Sequence, residues 1–261
     1  MSSFEAAAQI FESSFSKEDY FESLSAEFTK NTLVESIKRA DTPLIFLLGE
    51  PGVGKTYMLH LIKEELRDSH RIIMVQEPFL TPESFLQFIV GADSSSASLA
   101  ELKERATQMY SDVAHLIIID EAQLLSESVL EYIRILSDTK VFHFMLSMHK
   151  EDGELILKKP HFASRDHRSV TLGILESSEV KNYMESQLLR HGMGDFAAMF
   201  REKELAMIAT YTSGNFRMLK QMFKTIFSLM HYAKLHGHKD YCLPNRCIVM
   251  MAAIDLGCLD A

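Results

Sequence analysis

An α/β fold with a parallel sheet, followed by a helical domain, is what this sequence predicts, on three observations. A GxxxxGKT loop, Gly49-Glu50-Pro51-Gly52-Val53-Gly54-Lys55-Thr56, is entered from the apolar run Leu44-Ile45-Phe46-Leu47-Leu48 and left through residues with helical spacing, Leu59, Ile62 and Leu66. A second apolar run, His115-Leu116-Ile117-Ile118-Ile119, ends in two acids, Asp120-Glu121. From about Leu175 onward every periodic segment is helical. The chain is therefore expected to divide into a lead-in segment at 1–40, an α/β core at 41–174 and a helical lid domain at 175–261.

Composition is consistent with that division. With 261 residues, 47% hydrophobic and 24% charged, the chain can bury a proper core and suits one α/β domain with a smaller one attached. A net charge of −9 argues against a protein that coats nucleic acid non-specifically. Cys242, Cys247 and Cys258 lack zinc-ligand spacing and read as reduced thiols, and His236-Gly237-His238 reads as a solvated loop rather than a metal site. No apolar stretch reaches the length of a membrane span, and Met1-Ser2-Ser3-Phe4-Glu5 lacks a basic n-region. The expectation is a soluble, cytoplasmic protein without direct membrane insertion.

The lead-in carries Phe4, Phe11, Phe15, Tyr20, Phe21 and Phe28. Core packing is the expected role of these aromatics, with Tyr20 or Phe21 as the alternative stacking partner for a nucleotide base. In the loop, Gly52 and Gly54 permit backbone conformations a Cβ would forbid, so that successive N–H groups turn inward around a polyphosphate. The following helix points its positive end at the same spot. Lys55 can then reach the β- and γ-phosphates of ATP, and Thr56 can place its hydroxyl on Mg²⁺. The nucleotide-contacting set comprises Gly49 to Thr56 and position 58, a methionine (Met58) that follows Tyr57.

Beyond that helix, Arg71–Val75 reads as a strand, Thr81-Pro82-Glu83-Ser84 opens a helix, Ser94-Ser95-Ser96-Ala97-Ser98 marks a loop, and Leu99 to about Tyr110 is helical. The acids that end the third strand make chemical sense only if its carboxyl end faces a site. Asp120 is placed to hold Mg²⁺ and Glu121 to polarise the attacking water. Ser126 is expected to cap the next helix, and Val141–Leu146 to form a fourth strand ending at Ser147, where a γ-phosphate sensor would sit, with His149 as the competing candidate. The segment from Lys158 to Arg168 is the most basic in the chain and precedes a fifth strand, Val170-Thr171-Leu172. Ser177 and Ser178 are expected to cap the first helix of the lid, Phe196 to about Tyr211 to form another, and Ser213-Gly214-Asn215 and Pro244-Asn245-Arg246 to open two more.

Together the loop, Asp120-Glu121-Ala122-Gln123, a polar residue after strand four, an arginine before strand five and Gly214-Asn215-Phe216-Arg217 resemble the AAA+ ATPases, a P-loop NTPase class with a five-stranded parallel sheet and a helical lid. Within them the chain resembles the ExeA/GspA group of bacterial secretion ATPases, which also resembles the transposition ATPases TniB and MuB. That resemblance implies that Arg165 is the arginine finger, with Arg168 the alternative, that Arg217 is the sensor-2 arginine, and that the protein forms nucleotide-dependent homo-oligomers. Where the secretion group usually has Gly-Gln-Pro after strand four, this chain has Ser147-Met148-His149. Two functions are implied. The first is an ATPase that drives or switches a protein assembly of the secretion, pilus or DNA-uptake type; the alternative is a DNA-binding ATPase that regulates transposition or DNA targeting. The acidic net charge favours the first, and the basic segment supports the second.

Overall fold

A computed structural model describes residues 3–12, 20–40, 42–76, 78–91, 97–111 and 115–259; Phe15 and Ser94-Ser95-Ser96 lie outside the described residues. In chain order the first elements are α1 (Phe4–Ile10), α2 (Leu24–Arg39), β1 (Leu44–Gly49), α3 (Lys55–Leu66), β2 (Arg71–Val75), α4 (Pro82–Val90) and α5 (Leu99–Met109). They are followed by β3 (His115–Ile119), α6 (Glu127–Ser137), β4 (His143–His149), α7 (Lys150–Leu157), α8 (Pro160–Ala163) and β5 (Arg168–Thr171). The remainder is helical: α9 (Ser177–Arg190), α10 (Gly194–Ala197), α11 (Glu202–Thr212), α12 (Phe216–Leu235) and α13 (Arg246–Asp255). Two compact units result, one of residues 26–51 and 55–172, the other of 1–25, 52–54 and 173–261. The stretch 1–40 is thus divided between them after Ser25.

In the α/β unit five strands lie in the order β2-β3-β4-β1-β5, with each neighbouring pair parallel. Every residue of β1 and of β3 is buried, which is why both read as unbroken apolar runs instead of alternating ones. The register sets Gly49 opposite His149 and Ile119 opposite Leu146, so the carboxyl ends of β1, β3 and β4 share one edge. Open parallel sheets bind their ligands along that edge. The helices start where local chemistry satisfies their first N–H groups: Thr81 Oγ1 accepts from Ser84, Ser126 Oγ accepts from Val129, and Ser98 forms a capping box with Glu101.

Two strand boundaries differ from expectation. β4 begins at His143 and runs through Ser147 to His149, because its backbone pairs with β1 as far as Gly49 and carries the strand past the polar side chain. β5 starts at Arg168, which pairs with Ile45, and ends at Thr171. Helix α7 then presses closely on the sheet at Gly153, where an added Cβ would lie 2.3 Å from Leu48 Cδ2 and 3.2 Å from Met148 Cγ. Overpacking of that kind costs about 1–3 kcal/mol, and the better helix propensity of alanine offsets about 1 kcal/mol, so Gly153→Ala is expected to destabilise by roughly 1 kcal/mol. Urea denaturation measures it; an unchanged or raised midpoint would contradict this packing.

The helical unit has its own core, made of α1 and α9–α13. Phe11 lies 5.1 Å from Phe223 and 5.9 Å from Phe227, and Phe21 lies 5.5 Å from Tyr183, so these lead-in aromatics are core residues. Phe28 is exposed. Buried Met184, Met222 and Met230 fill the same core. The cap of α9 is Glu176, not Ser177 or Ser178, because the Glu176 and Glu179 carboxylates form a reciprocal capping box. The expected helix from Phe196 to Tyr211 is two helices, α10 and α11, separated between Ala197 and Glu202. Ser213 and Gly214 turn the chain with φ of 48° and 65°, and Asn215 Oδ1 accepts from Arg217 and Met218 to start α12. Residues 52–54 group with this unit: the Arg217 N–H donates to the Gly52 carbonyl at 3.0 Å, and a Cβ on Gly52 would sit 2.6 Å from Asn215 Oδ1.

Candidate functional site

The loop has the backbone its glycines were expected to permit, with φ of 83° at Gly52 and 102° at Gly54. Lys55 begins α3 and is only 5% exposed, yet its ammonium is satisfied: Nζ donates to the Gly49 carbonyl at 2.9 Å and to the Glu50 carbonyl at 3.2 Å. Thr56 Oγ1 donates to Asp120 Oδ2 at 2.6 Å, joining the start of α3 to the end of β3. These two hard oxygens suit Mg²⁺, which takes one or two protein ligands and completes its shell with water and phosphate. Among the described residues no group of three or more His, Cys, Asp and Glu gathers around a metal position. Position 58 adds no polar atom to the loop, because Met58 is a buried apolar side chain, while Tyr57 beside it is half-buried.

Glu121 follows with φ of 49° and ψ of 42°, a left-handed conformation unusual for a residue with a Cβ. Its own N–H donates to Asp120 Oδ1 at 3.0 Å. Gln123 Nε2 donates to Glu121 Oε2, and His149 Nε2 lies 3.5 Å from the same oxygen. On its other side His149 Nδ1 lies 3.6 Å from Asp152 Oδ2. Ser147 is not brought to this group: it is fully buried in mid-strand opposite Leu47, and its Oγ has no hydrogen-bond partner among the described residues. At the end of β4, His149 is the residue that reaches the acid.

Three residues of the basic segment are paired within the chain. Lys159 Nζ donates to Glu127, His161 Nε2 lies 3.5 Å from Glu131 Oε2, and Arg165 lies 3.3 Å from Asp138 Oδ2. All three acids belong to α6 or its C-cap. The hydrogen bond from Lys159 and its charge hold the Glu127 carboxyl below its ordinary range. Arg134, by hydrogen bond, does the same for Glu131, with His161 and Arg165 adding to it against the opposing effect of burial. Arg168 in β5 and Lys158 after α7 are exposed, as is Arg217 in the first turn of α12. Sequence reasoning missed Gln123 and Asp152 as neighbours of the catalytic candidates, and the acidic face of α6. Only Gln123, two residues from Glu121, carried a local signal.

A sequence family described as an AAA domain (AAA_22) matches residues 38–155. The chain is 25% identical over 254 residues, 89% of its length, to a chromosomal replication initiator protein DnaA of Methylacidiphilum infernorum, and it spans about half the length of that relative (51%). Among solved structures it is similar in fold to the RuvB Holliday junction branch migration motor of Thermotoga maritima, with a TM-score of 0.60 at 17% identity over 95% of this chain and 73% of the other. It is also similar to the Aeropyrum pernix ORC1 protein in complex with DNA, with a TM-score of 0.62 at 15% identity over 95% of this chain and 69% of the other.

Proposed function

We propose that this AAA+ ATPase, assigned to that class by its parallel P-loop fold and by the AAA domain at residues 38–155, acts on DNA as a nucleotide-controlled assembly factor. The observation that carries the proposal is the likeness along most of the chain to a chromosomal replication initiator. A fold shared with a DNA-bound ORC1 protein agrees with it. The DNA-binding alternative thereby takes precedence over a secretion or pilus role, which keeps as support the net charge of −9 and the pairing of Lys159 and Arg165 with acids of the same chain.

In the chemistry proposed, Lys55 moves from the Gly49 and Glu50 carbonyls onto the β- and γ-phosphates of ATP. Thr56 and Asp120 hold Mg²⁺, which when bound neutralises phosphate charge. Glu121 accepts a proton from water as the water oxygen bonds to the γ-phosphorus and the bond from that phosphorus to the bridging oxygen of ADP breaks. Arg165, with Arg168 as the alternative, serves a neighbouring subunit as the finger, and Arg217 is the sensor-2 arginine. Copies of the chain assemble when ATP is bound. Among the described residues no helix is long and apolar enough to cross a membrane.

Fluorescence anisotropy of labelled duplex DNA, with Glu121→Gln protein and ATP titrated from low to physiological salt, tests the DNA assignment. Binding is expected only with ATP, falling linearly on a log–log plot as counterions are released, and Lys158→Ala should flatten the slope by about 0.9 for one lost phosphate contact. Lys159→Ala should change it less, because Glu127 already neutralises that lysine. ATP hydrolysis without ATP-dependent duplex binding would return the assignment to a protein-acting machine.

A further inference from the structure

Two side chains converge on one oxygen of Glu121: the Gln123 amide donates to Oε2, and the His149 Nε2 lies 3.5 Å from it. Oε1 has no hydrogen bond or ion pair among the described residues. His149 occupies the N-cap of α7, but its side chain does not cap the helix, and its second nitrogen faces Asp152 in the first turn of that helix. Asp152 is followed by Gly153, whose lack of a Cβ lets α7 lie against Leu48 and Met148. From these contacts we infer that His149, braced by Asp152, is a positioning residue that works with Gln123 to hold Oε2 and leave Oε1 as the oxygen that takes the proton from water.

The inference rests on Glu121 being the general base of the reaction proposed above. The contacts of 3.5 and 3.6 Å are longer than good hydrogen bonds, and an imidazole packed between two carboxylates restricts the orientation of both. The side chains of His149, Glu121 and Asp152 are 35%, 44% and 46% exposed, open enough to meet water and substrate and therefore in need of external restraint. A base held only by its own rotamers would spend part of its time with the wrong oxygen forward, and misplacement by about 1 Å is enough to lower a rate by about 100-fold.

Steady-state ATPase kinetics, fluorescent-nucleotide binding and thermal melting of wild type, His149→Ala, Asp152→Asn, Glu121→Gln and their double variants test it. His149→Ala is expected to lower kcat by about 10- to 100-fold with KM for ATP and nucleotide affinity within about twofold of wild type. Asp152→Asn should lower kcat by about 10-fold alone, and by less than about twofold in the His149→Ala background, since the brace acts only through the ring. In the Glu121→Gln background neither change should slow hydrolysis further. A His149→Ala kcat near wild type, or losses from His149→Ala and Asp152→Asn that multiply, would overturn the inference while leaving Glu121 as base. Wild-type kcat in Glu121→Gln itself would instead remove the base assignment. Should His149→Ala melt early, the Asp152→Asn comparison with Glu121→Gln decides the matter.

Discussion

Glu121→Gln protein is expected to bind ATP as wild type does and to hydrolyse it at least ~100-fold more slowly, the loss that follows removal of a general base. The amide keeps the shape of the carboxylate and can still meet Gln123 and His149, but it cannot take a proton, so the loss falls on kcat rather than on affinity. Lys55→Ala should behave differently. Its ammonium, buried against the Gly49 and Glu50 carbonyls, is the charge placed to pair with the β- and γ-phosphates, and without it nucleotide binding itself disappears. Phosphate release under single-turnover conditions, together with titration of a fluorescent ATP analogue, separates the two effects. Equal hydrolysis by wild type and Glu121→Gln would falsify the role given to Glu121.

Arg165→Ala should remove a finger worth on the order of 10³-fold or more in rate. In the chain itself Arg165 is half-exposed and paired with Asp138 at 3.3 Å, a contact of the exposed kind whose contribution is about 0–1 kcal/mol. Such a pair yields easily to the concentrated charge of a γ-phosphate in a subunit interface from which water is excluded. Mixing inactive Arg165→Ala with inactive Lys55→Ala protein at high concentration tests the arrangement. Random assembly gives roughly a quarter of the wild-type activity, because half of the subunits keep an intact loop and half of their neighbours keep the finger. No recovery at any ratio, in mixtures that crosslinking shows to co-assemble, would reduce Arg165 to the surface partner of Asp138.

How far the sequence reaches depends on how local each contact is. β1 and β3 were legible because strands buried on both faces leave continuous apolar runs, and the first is joined to the glycine loop while the second ends in paired acids. The caps at Thr81, Ser126, Asn215 and Asn245 were legible for a related reason, since each side chain bonds a backbone N–H within three residues. The extent of β4 was not, because it is dictated by pairing with β1 about a hundred positions earlier. Neither was the group around Glu121, where His149 and Asp152 arrive from a different strand and helix, nor the pairing of Lys159 with Glu127 across 32 positions. The subgroup suggested by motif likeness led toward secretion, whereas the similarity along most of the chain is to a chromosomal replication initiator; the motifs that carried the likeness serve ATP chemistry, which both classes share.

The strand that feeds the glycine loop has no sequence neighbour in the sheet. Among the described residues β1 pairs with β4 and β5, its Leu44 opposite Phe144 and its Ile45 opposite Arg168, so these partners leave the ribosome a hundred residues and more after it does. At synthesis rates of about 5–20 residues per second, that interval is roughly 5–20 s, during which Leu44–Leu48 is an unpaired apolar edge. The nascent chain therefore emerges with its most hydrophobic strand exposed until β4 has been made, a natural substrate for a chaperone that binds short apolar segments. Arrested chains ending near residue 140 should be captured by such a chaperone through this strand, and chains extended far enough to clear β5 should be released.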